Sequence, residues 1–356
     1  MDPAHQKLAV FIPPKIEFKG DITKMKILYK TPLELSHLDR INFFKGYILI
    51  NLGNGIAFVE KDTYNIIYKQ ELEVEEINTI NIIDEDILII VAFDKIRIIR
   101  FEEKEPKKFT YEIVQEICDT ELYYAGIILS NGLLLAAGED EKYSFYRLEK
   151  YDTNKKLSKN NLYKKIGEVN NVHKILIEDL PTIIDLNNGF ILSYTHCESD
   201  IVIVQYDEEI KLIKKIIEHK YEWDTAELIS DKYVLFKALG SPDYNTCLFD
   251  VEKFEIVKTW DTDIRDNFLQ PICQNKFFAG SDKRFTICEI KEDNEEIVIK
   301  EIFVTDYQGF DVFVYPLILD EKTFLTLAFD KPPNSDSDDF ESLEQRNAYL
   351  VVFKCK

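Results

Sequence analysis

The sequence predicts an all-β fold, a single seven-bladed β-propeller with four-stranded antiparallel blades. Three observations carry this. Pairs of short apolar runs recur at intervals of roughly forty to fifty residues, the spacing of propeller blades. Each pair is centred on a turn signal: Lys45-Gly46, Glu85-Asp86, Asn131-Gly132, Asn188-Gly189, Asp231-Lys232, Asn275-Lys276 and Asp320-Glu321. The runs are rich in Ile, Val, Phe and Tyr and only about five to seven residues long, too short for helices and suited to strands.

The first two strands of each unit read as follows. Ile41–Phe44 and Tyr47–Leu52 open the series, followed by Ile77–Ile83 with Ile87–Phe93 and Tyr124–Leu129 with Leu133–Ala137. Pro181–Leu186 pairs with Phe190–Thr195, Thr225–Ile229 with Tyr233–Ala238, Phe268–Cys273 with Phe277–Gly280, and Tyr315–Leu319 with Thr323–Phe329. Near-continuous apolar character implies burial on both faces. A third strand ends in an aromatic or aliphatic residue and an acid, as at Phe101-Glu102, Leu148-Glu149, Tyr206-Asp207 and Phe249-Asp250. A more alternating fourth strand follows, at Tyr64–Gln70, Phe109–Val114, Ile210–Ile217, Phe254–Thr259 and Ile297–Phe303, as expected for an outer strand with one wet face. The final strand, Tyr349–Cys355, is the third of the last blade. The amino terminus must supply the fourth, through Lys24–Lys30 or Leu8–Ile12, which removes an open sheet edge.

These repeats resemble the WD40 propeller family across nearly the whole chain. Phe101-Glu102, Tyr206-Asp207 and Phe249-Asp250 stand where that family carries Trp-Asp. The Gly-His dipeptide that opens a family repeat is missing. The literal pairs Trp223-Asp224 and Trp260-Asp261 fall near connections into the next blade. The resemblance implies a rigid platform whose loops engage protein partners.

Seven blades consume nearly all of the 356 residues, so residues 1–356 are expected to form one domain. The cysteines show no Cys-x-x-Cys and no zinc-like spacing, and scattered strand thiols are usually small core residues. No early apolar run suits a signal peptide, and none approaches the ~20 residues of a membrane span. A reducing compartment is expected, the cytoplasm, with nuclear entry also compatible. No Gly-rich phosphate loop or other cofactor motif is present, and no cofactor is expected. The net charge of −21 disfavours direct contact with nucleic acid or anionic membrane and favours a basic partner.

Propeller connectivity places the connections into each next blade and the loops between second and third strands at one end. Acids concentrate there: Glu71, Glu73, Glu75 and Glu76; Glu116, Asp119 and Glu121; Glu139, Asp140 and Glu141; Asp224; and Asp261, Asp263 and Asp266. This pattern suits an acidic platform that attracts a basic peptide or protein domain; a solvated rim on an acidic chain gives the same pattern. Trp223 and Trp260 flank these connections, as does Tyr124. Each either offers an aromatic face to a cation or fills the wedge between blades.

Two insertions stand out. Residues 330–347, rich in Pro, Ser and acids, read as an acidic flexible loop in the last blade, and Ser335 with Asp338 three residues on resembles an acidophilic kinase site. Lys150–Lys165 is a lysine-rich connection in the third blade, suited to an acidic partner or simply to solvent. The leading expectation is a non-catalytic scaffold in a multiprotein complex. The alternative is a propeller hydrolase, glycosidase-like, using carboxylates in a central depression. A structural subunit of a large assembly is a third reading.

Overall fold

The computed structural model describes residues 26–33, 41–139, 142–148, 163–170, 172, 181–195, 200–207, 209–217, 222–239, 245–260, 266–273, 276–281, 284–293, 296–306, 312–329 and 348–355. The described elements are all β-strands, in seven antiparallel sheets of four, the fold class of a seven-bladed β-propeller. Blade 1 comprises β2 (Ile41–Phe44), β3 (Tyr47–Asn51), β4 (Gly55–Glu60) and β5 (Ile66–Glu71). Blade 2 comprises β6 (Ile77–Ile82), β7 (Ile87–Ala92), β8 (Ile96–Glu105) and β9 (Lys108–Ile117). Blade 3 comprises β10 (Tyr123–Ile128), β11 (Leu134–Gly138), β12 (Lys142–Leu148) and β13 (Tyr163–Val169). Blade 4 comprises β14 (Pro181–Asp185), β15 (Phe190–Thr195), β16 (Asp200–Gln205) and β17 (Lys211–Ile217).

Blade 5 comprises β18 (Glu222–Leu228), β19 (Tyr233–Leu239), β20 (Asn245–Asp250) and β21 (Glu255–Trp260). Blade 6 comprises β22 (Asp266–Cys273), β23 (Lys276–Ser281), β24 (Arg284–Asp293) and β25 (Glu296–Asp306). Blade 7 takes β26 (Val312–Asp320), β27 (Thr323–Phe329) and β28 (Ala348–Lys354) from the carboxyl end. Its fourth strand is β1 (Lys26–Leu33), which runs antiparallel to β28 from Lys26 opposite Lys354 to Leu33 opposite Ala348. This strand overlaps the expected segment Lys24–Lys30; the other expected segment, Leu8–Ile12, lies outside the described residues.

The contacts group into two compact units. One holds Phe44–Glu60 and Asn65–His219, with blades 2 to 4 and most of blade 1. The other holds Lys15–Phe43, Lys61–Tyr64 and Lys220–Lys356, with blades 5 to 7. In the first unit β10 packs against both β6 and β14, so first strands of consecutive blades face one another. In the second, β22 bridges β18 and β26 in the same way.

Each core is an interface between blades, because the second and third strands expose apolar side chains on both faces. Leu49, Phe58, Leu88 and Phe101 join blades 1 and 2 in one cluster; Leu135, Phe145, Ile191 and Val202 join blades 3 and 4. Phe58 contacts Phe44, Tyr47, Tyr68, Phe101 and Phe109 at ring separations between 4.7 and 6.2 Å. The third-strand aromatics Phe101, Tyr206 and Phe249 are all buried. Asp250 beside Phe249 accepts the backbone N–H groups of Glu252 at 2.9 Å and Lys253 at 3.0 Å, so the acid of that pair caps a turn. At the Lys45-Gly46 turn both residues have positive φ, 53° and 83°, the geometry of a two-residue hairpin matched to strand twist.

One device recurs beyond the reach of simple alternation. Every outer strand carries an extra residue opposite its neighbour: Leu28 in β1, Ile67 in β5, Val114 in β9 and Ile166 in β13. Ile213, Val257 and Ile302 take that place in β17, β21 and β25. Each is aliphatic. Such bulges twist an edge away from further pairing, which protects strands that have no neighbour on one side.

Candidate protein-interaction face

Loops at one end of the first unit are tied together through their backbones. The connection from β5 to β6 is held on blade 1 by Leu72 N–H donating to Asn54 O at 3.0 Å and Ile77 N–H to Gly53 O at 2.6 Å. The buried amide of Asn51 donates to Ile77 O at 3.0 Å, while its oxygen accepts Gly53 N–H at 3.0 Å. The series continues around the blades: Phe93 N–H donates to Glu76 O at 3.0 Å, Tyr123 N–H to Phe93 O at 2.8 Å, and Glu139 N–H to Leu122 O at 3.2 Å. Loops from blades 1, 2 and 3 therefore form one continuous rim.

Local alternation decides which side chains that rim displays. Leu72 and Val74 are buried in the cluster between blades 1 and 2, which turns Glu71, Glu73 and Glu75 outward. Glu73 has φ of 49°, a left-handed residue within the tight crossover. Glu76, Glu121 and Glu139 are also exposed. Two cations at this end are already engaged. Lys95 binds Asp94 at 2.8 Å, and buried Arg97 binds Glu116 at 2.7 Å while also donating to Leu72 O. Among the described residues no ion pair engages Glu73, Glu75, Glu76, Glu121 or Glu139. Their fields add, and the nearest countercharges do not cancel them.

Asp119 latches the next crossover. Its Oδ1 accepts the phenol of Tyr123 at 2.5 Å and that of Tyr146 at 2.7 Å, and its Oδ2 accepts Tyr146 at 2.8 Å. The Tyr123 oxygen in turn accepts Asp119 N–H at 2.9 Å, and Lys165 lies 3.6 Å from Oδ2. Burial alone would raise this carboxyl. The two phenol hydrogen bonds and the lysine charge outweigh it and hold Asp119 below the ordinary carboxylate range. Glu168, hydrogen-bonded by Lys165, is also pulled down. Burial drives Tyr123 and Tyr146 upward, and their bonds to Asp119 push the same way.

The sequence-derived contact residues meet different fates. Glu139 is exposed on the rim. Trp223 is fully buried in β18 and packs on Phe236 with ring centroids 4.8 Å apart, so it is corrected from a contact residue to a core residue. Blade 5 begins at Glu222, earlier than its sequence suggests, and a register shift between Trp223 and Thr225 absorbs the intervening acid. Trp260 closes β21, half-buried against the cluster of blades 5 and 6. Tyr124 is buried, edge-on to Phe93 at 6.3 Å. All three aromatics take the packing role. Asp224 and Asp266 lie within β18 and β22, with side chains outside the described set. Asp140, Glu141, Asp261, Asp263, Ser335 and the 330–347 insertion lie outside the described residues. Lys164 and Lys165, expected in a connection, belong instead to β13.

The Asp119 latch had no local signal: Tyr146 is 27 residues away and meets it only through sheet pairing. Among the described residues no group of three His, Cys, Asp or Glu side chains could hold a metal ion. Cys247, Cys288 and Cys355 are buried thiols outside any disulfide, while Cys118 is exposed. Among the described residues no helix is long and apolar enough to cross a membrane. Neither a family model nor a curated protein matches this sequence.

Proposed function

We propose that this protein is a non-catalytic, WD40-like interaction scaffold that presents an acidic loop face to a basic protein or peptide. The reading rests on the rim of blades 1 to 3, where exposed carboxylates with no described ion pair ride on loops tied together by backbone hydrogen bonds. Rigid loops limit the ordering cost of association, and a one-signed field speeds encounter and rejects acidic competitors. The WD40 likeness of the third-strand aromatic and acid pairs agrees with a platform role. Phosphorylation at Ser335 would add roughly 1.5 to 2 negative charges and strengthen the same attraction.

The test is binding of a fluorescein-labelled oligolysine–leucine peptide to wild-type protein and to a Glu73→Gln, Glu75→Gln, Glu76→Gln, Glu121→Gln, Glu139→Gln variant at two salt concentrations. Binding that salt weakens and the amide variant loses supports the face. Equal binding by both proteins, or none by the wild type, removes it.

A further inference from the structure

The outer edge of blades 3 and 4 has a character found on no other described surface. Among the described residues the large apolar side chains exposed to solvent are Ile166, Leu212 and Ile213, at 39, 39 and 40 %. All three fall on β13 and β17. Two of them, Ile166 and Ile213, are the bulge residues of their strands. In blade 2 the corresponding Val114 is buried in the core, and Ile67, Val257 and Ile302 pack against theirs. Blades 3 and 4 turn the same aliphatic position to water.

The two strands are contiguous. Gly167 lies so close to the turn leading into β17 that a Cβ there would stand 2.8 Å from Ile210 Cδ1. Beside this contact, Ile166, Gly167 and Ile210 help line a cleft of about 450 Å³, whose charged lining is Arg147 with Glu168, Asp207 and Glu209, so the cationic part of this edge is β17 and not the cleft. On β17 itself the charge reverses. On a chain of net charge −21, β17 carries Lys211, Lys214 and Lys215 and no acid. Lys211 pairs with Glu209 at 2.6 Å, and Lys215 pairs with Asp200. The Lys211–Glu209 pair, exposed on both sides, contributes little and is readily exchanged for a partner's carboxylate. Edge lysines alone are a common guard against sheet extension. A guard has no use for an exposed Leu-Ile pair between its lysines.

We infer that the outer edge of blades 3 and 4 docks an extended acidic segment of a partner protein, one with aliphatic side chains interleaved among its carboxylates. Its apolar groups cover Ile166, Leu212 and Ile213, and its carboxylates meet the β17 lysines. The bulge at Ile213 interrupts the strand edge, so recognition runs through side chains and not through addition of a fifth strand. This surface has the opposite charge to the loop rim, and either can fail without the other.

The experiment is fluorescence anisotropy with a labelled peptide of Asp-Leu-Glu-Ile repeats, alongside a control with Ser in place of every Leu and Ile. Wild-type protein is expected to bind the first peptide saturably, more weakly as salt rises, and to ignore the control. Leu212→Ser/Ile213→Ser and Lys214→Glu/Lys215→Glu are each expected to weaken binding roughly tenfold or more. Circular-dichroism melting identifies properly folded variants, and the lysine pair carries the test should the apolar pair fail to fold. Absence of saturable binding to folded wild type overturns the proposal, as does binding that both variants leave intact. Sedimentation equilibrium supplies the remaining outcome: a wild-type dimer dissolved by these substitutions would give the edge to a second copy of this chain and overturn the partner assignment.

Discussion

The loop rim of blades 1 to 3 and the outer edge of blades 3 and 4 come from the same repeat, yet they display opposite chemistry. On the rim, Leu72 and Val74 go inward and the glutamates between them go outward, leaving a polar, acidic surface over a filled core. On the outer edge of blade 4, Leu212 and Ile213 stay exposed between lysines. The difference teaches that the scaffold itself does not dictate surface character. Where a neighbouring blade covers the bulge position, as at Val114, an aliphatic residue there is structural. Where it is left open, the same residue type becomes available to a partner.

The most drastic way to break the comparison is to remove the scaffold under one surface. Phe58→Ala removes the ring that Phe44, Tyr47, Tyr68, Phe101 and Phe109 surround beneath the rim and is expected to cost ~3–5 kcal/mol, read as a lowered urea midpoint. The bulge position offers a sharper contrast. Val114→Ala should cost about 2 kcal/mol, whereas Ile213→Ala should stay within about 0.5 kcal/mol, since only the first is buried. Similar losses at both sites would refute the distinction between covered and open bulges.

Asp119→Ala strands the Tyr123 and Tyr146 phenols and is expected to cost about 1–2 kcal/mol in the same urea assay. The latch also has a pH signature. Asp119 titrates lower folded than unfolded, so its contribution is present above the unfolded carboxyl value of about 4 and fades as pH falls through the folded value. Burial raises the phenols of Tyr123, Tyr143, Tyr146, Tyr163 and Tyr206. Their contribution is therefore intact below the ordinary phenol value of about 10 and is lost as pH climbs toward the folded values. An alkaline titration should show tyrosinate absorbance rising together with loss of β-sheet circular dichroism; early ionisation of these phenols in a folded chain would contradict their burial. The smallest effect concerns the rim charges alone. Glu73→Lys/Glu75→Lys/Glu76→Lys should leave melting nearly unchanged while weakening a basic peptide about tenfold, roughly 1.4 kcal/mol.

Reading order from the sequence was reliable where chemistry was local. The Lys45-Gly46 turn and the strands on either side of it appear at or within a few residues of the expected positions. The closing strand, a pairing between distant parts of the chain, was narrowed by the sequence only to Lys24–Lys30 or Leu8–Ile12, and it overlaps the first of these. Boundaries slipped where an acid interrupted an apolar run. At Trp223-Asp224 the acid reads as loop, and only the bulge lets the strand pass through it. The candidate site was half legible. The acids of the rim were visible as a charge pattern, but not the roles of Trp223 and Tyr124 as core.

What the sequence determined by itself is the number of blades, the four-strand repeat and the acidic sign of the loops. Each depends on short-range periodicity, turn chemistry or a simple charge count. Tertiary structure alone decided that Asp119 meets Tyr146, that Arg97 is spent on Glu116 and Leu72, and that the bulge aliphatics are covered in blade 2 yet open in blades 3 and 4. Those outcomes hinge on which blade leans against which strand, a relation among residues far apart in the chain that no local pattern encodes.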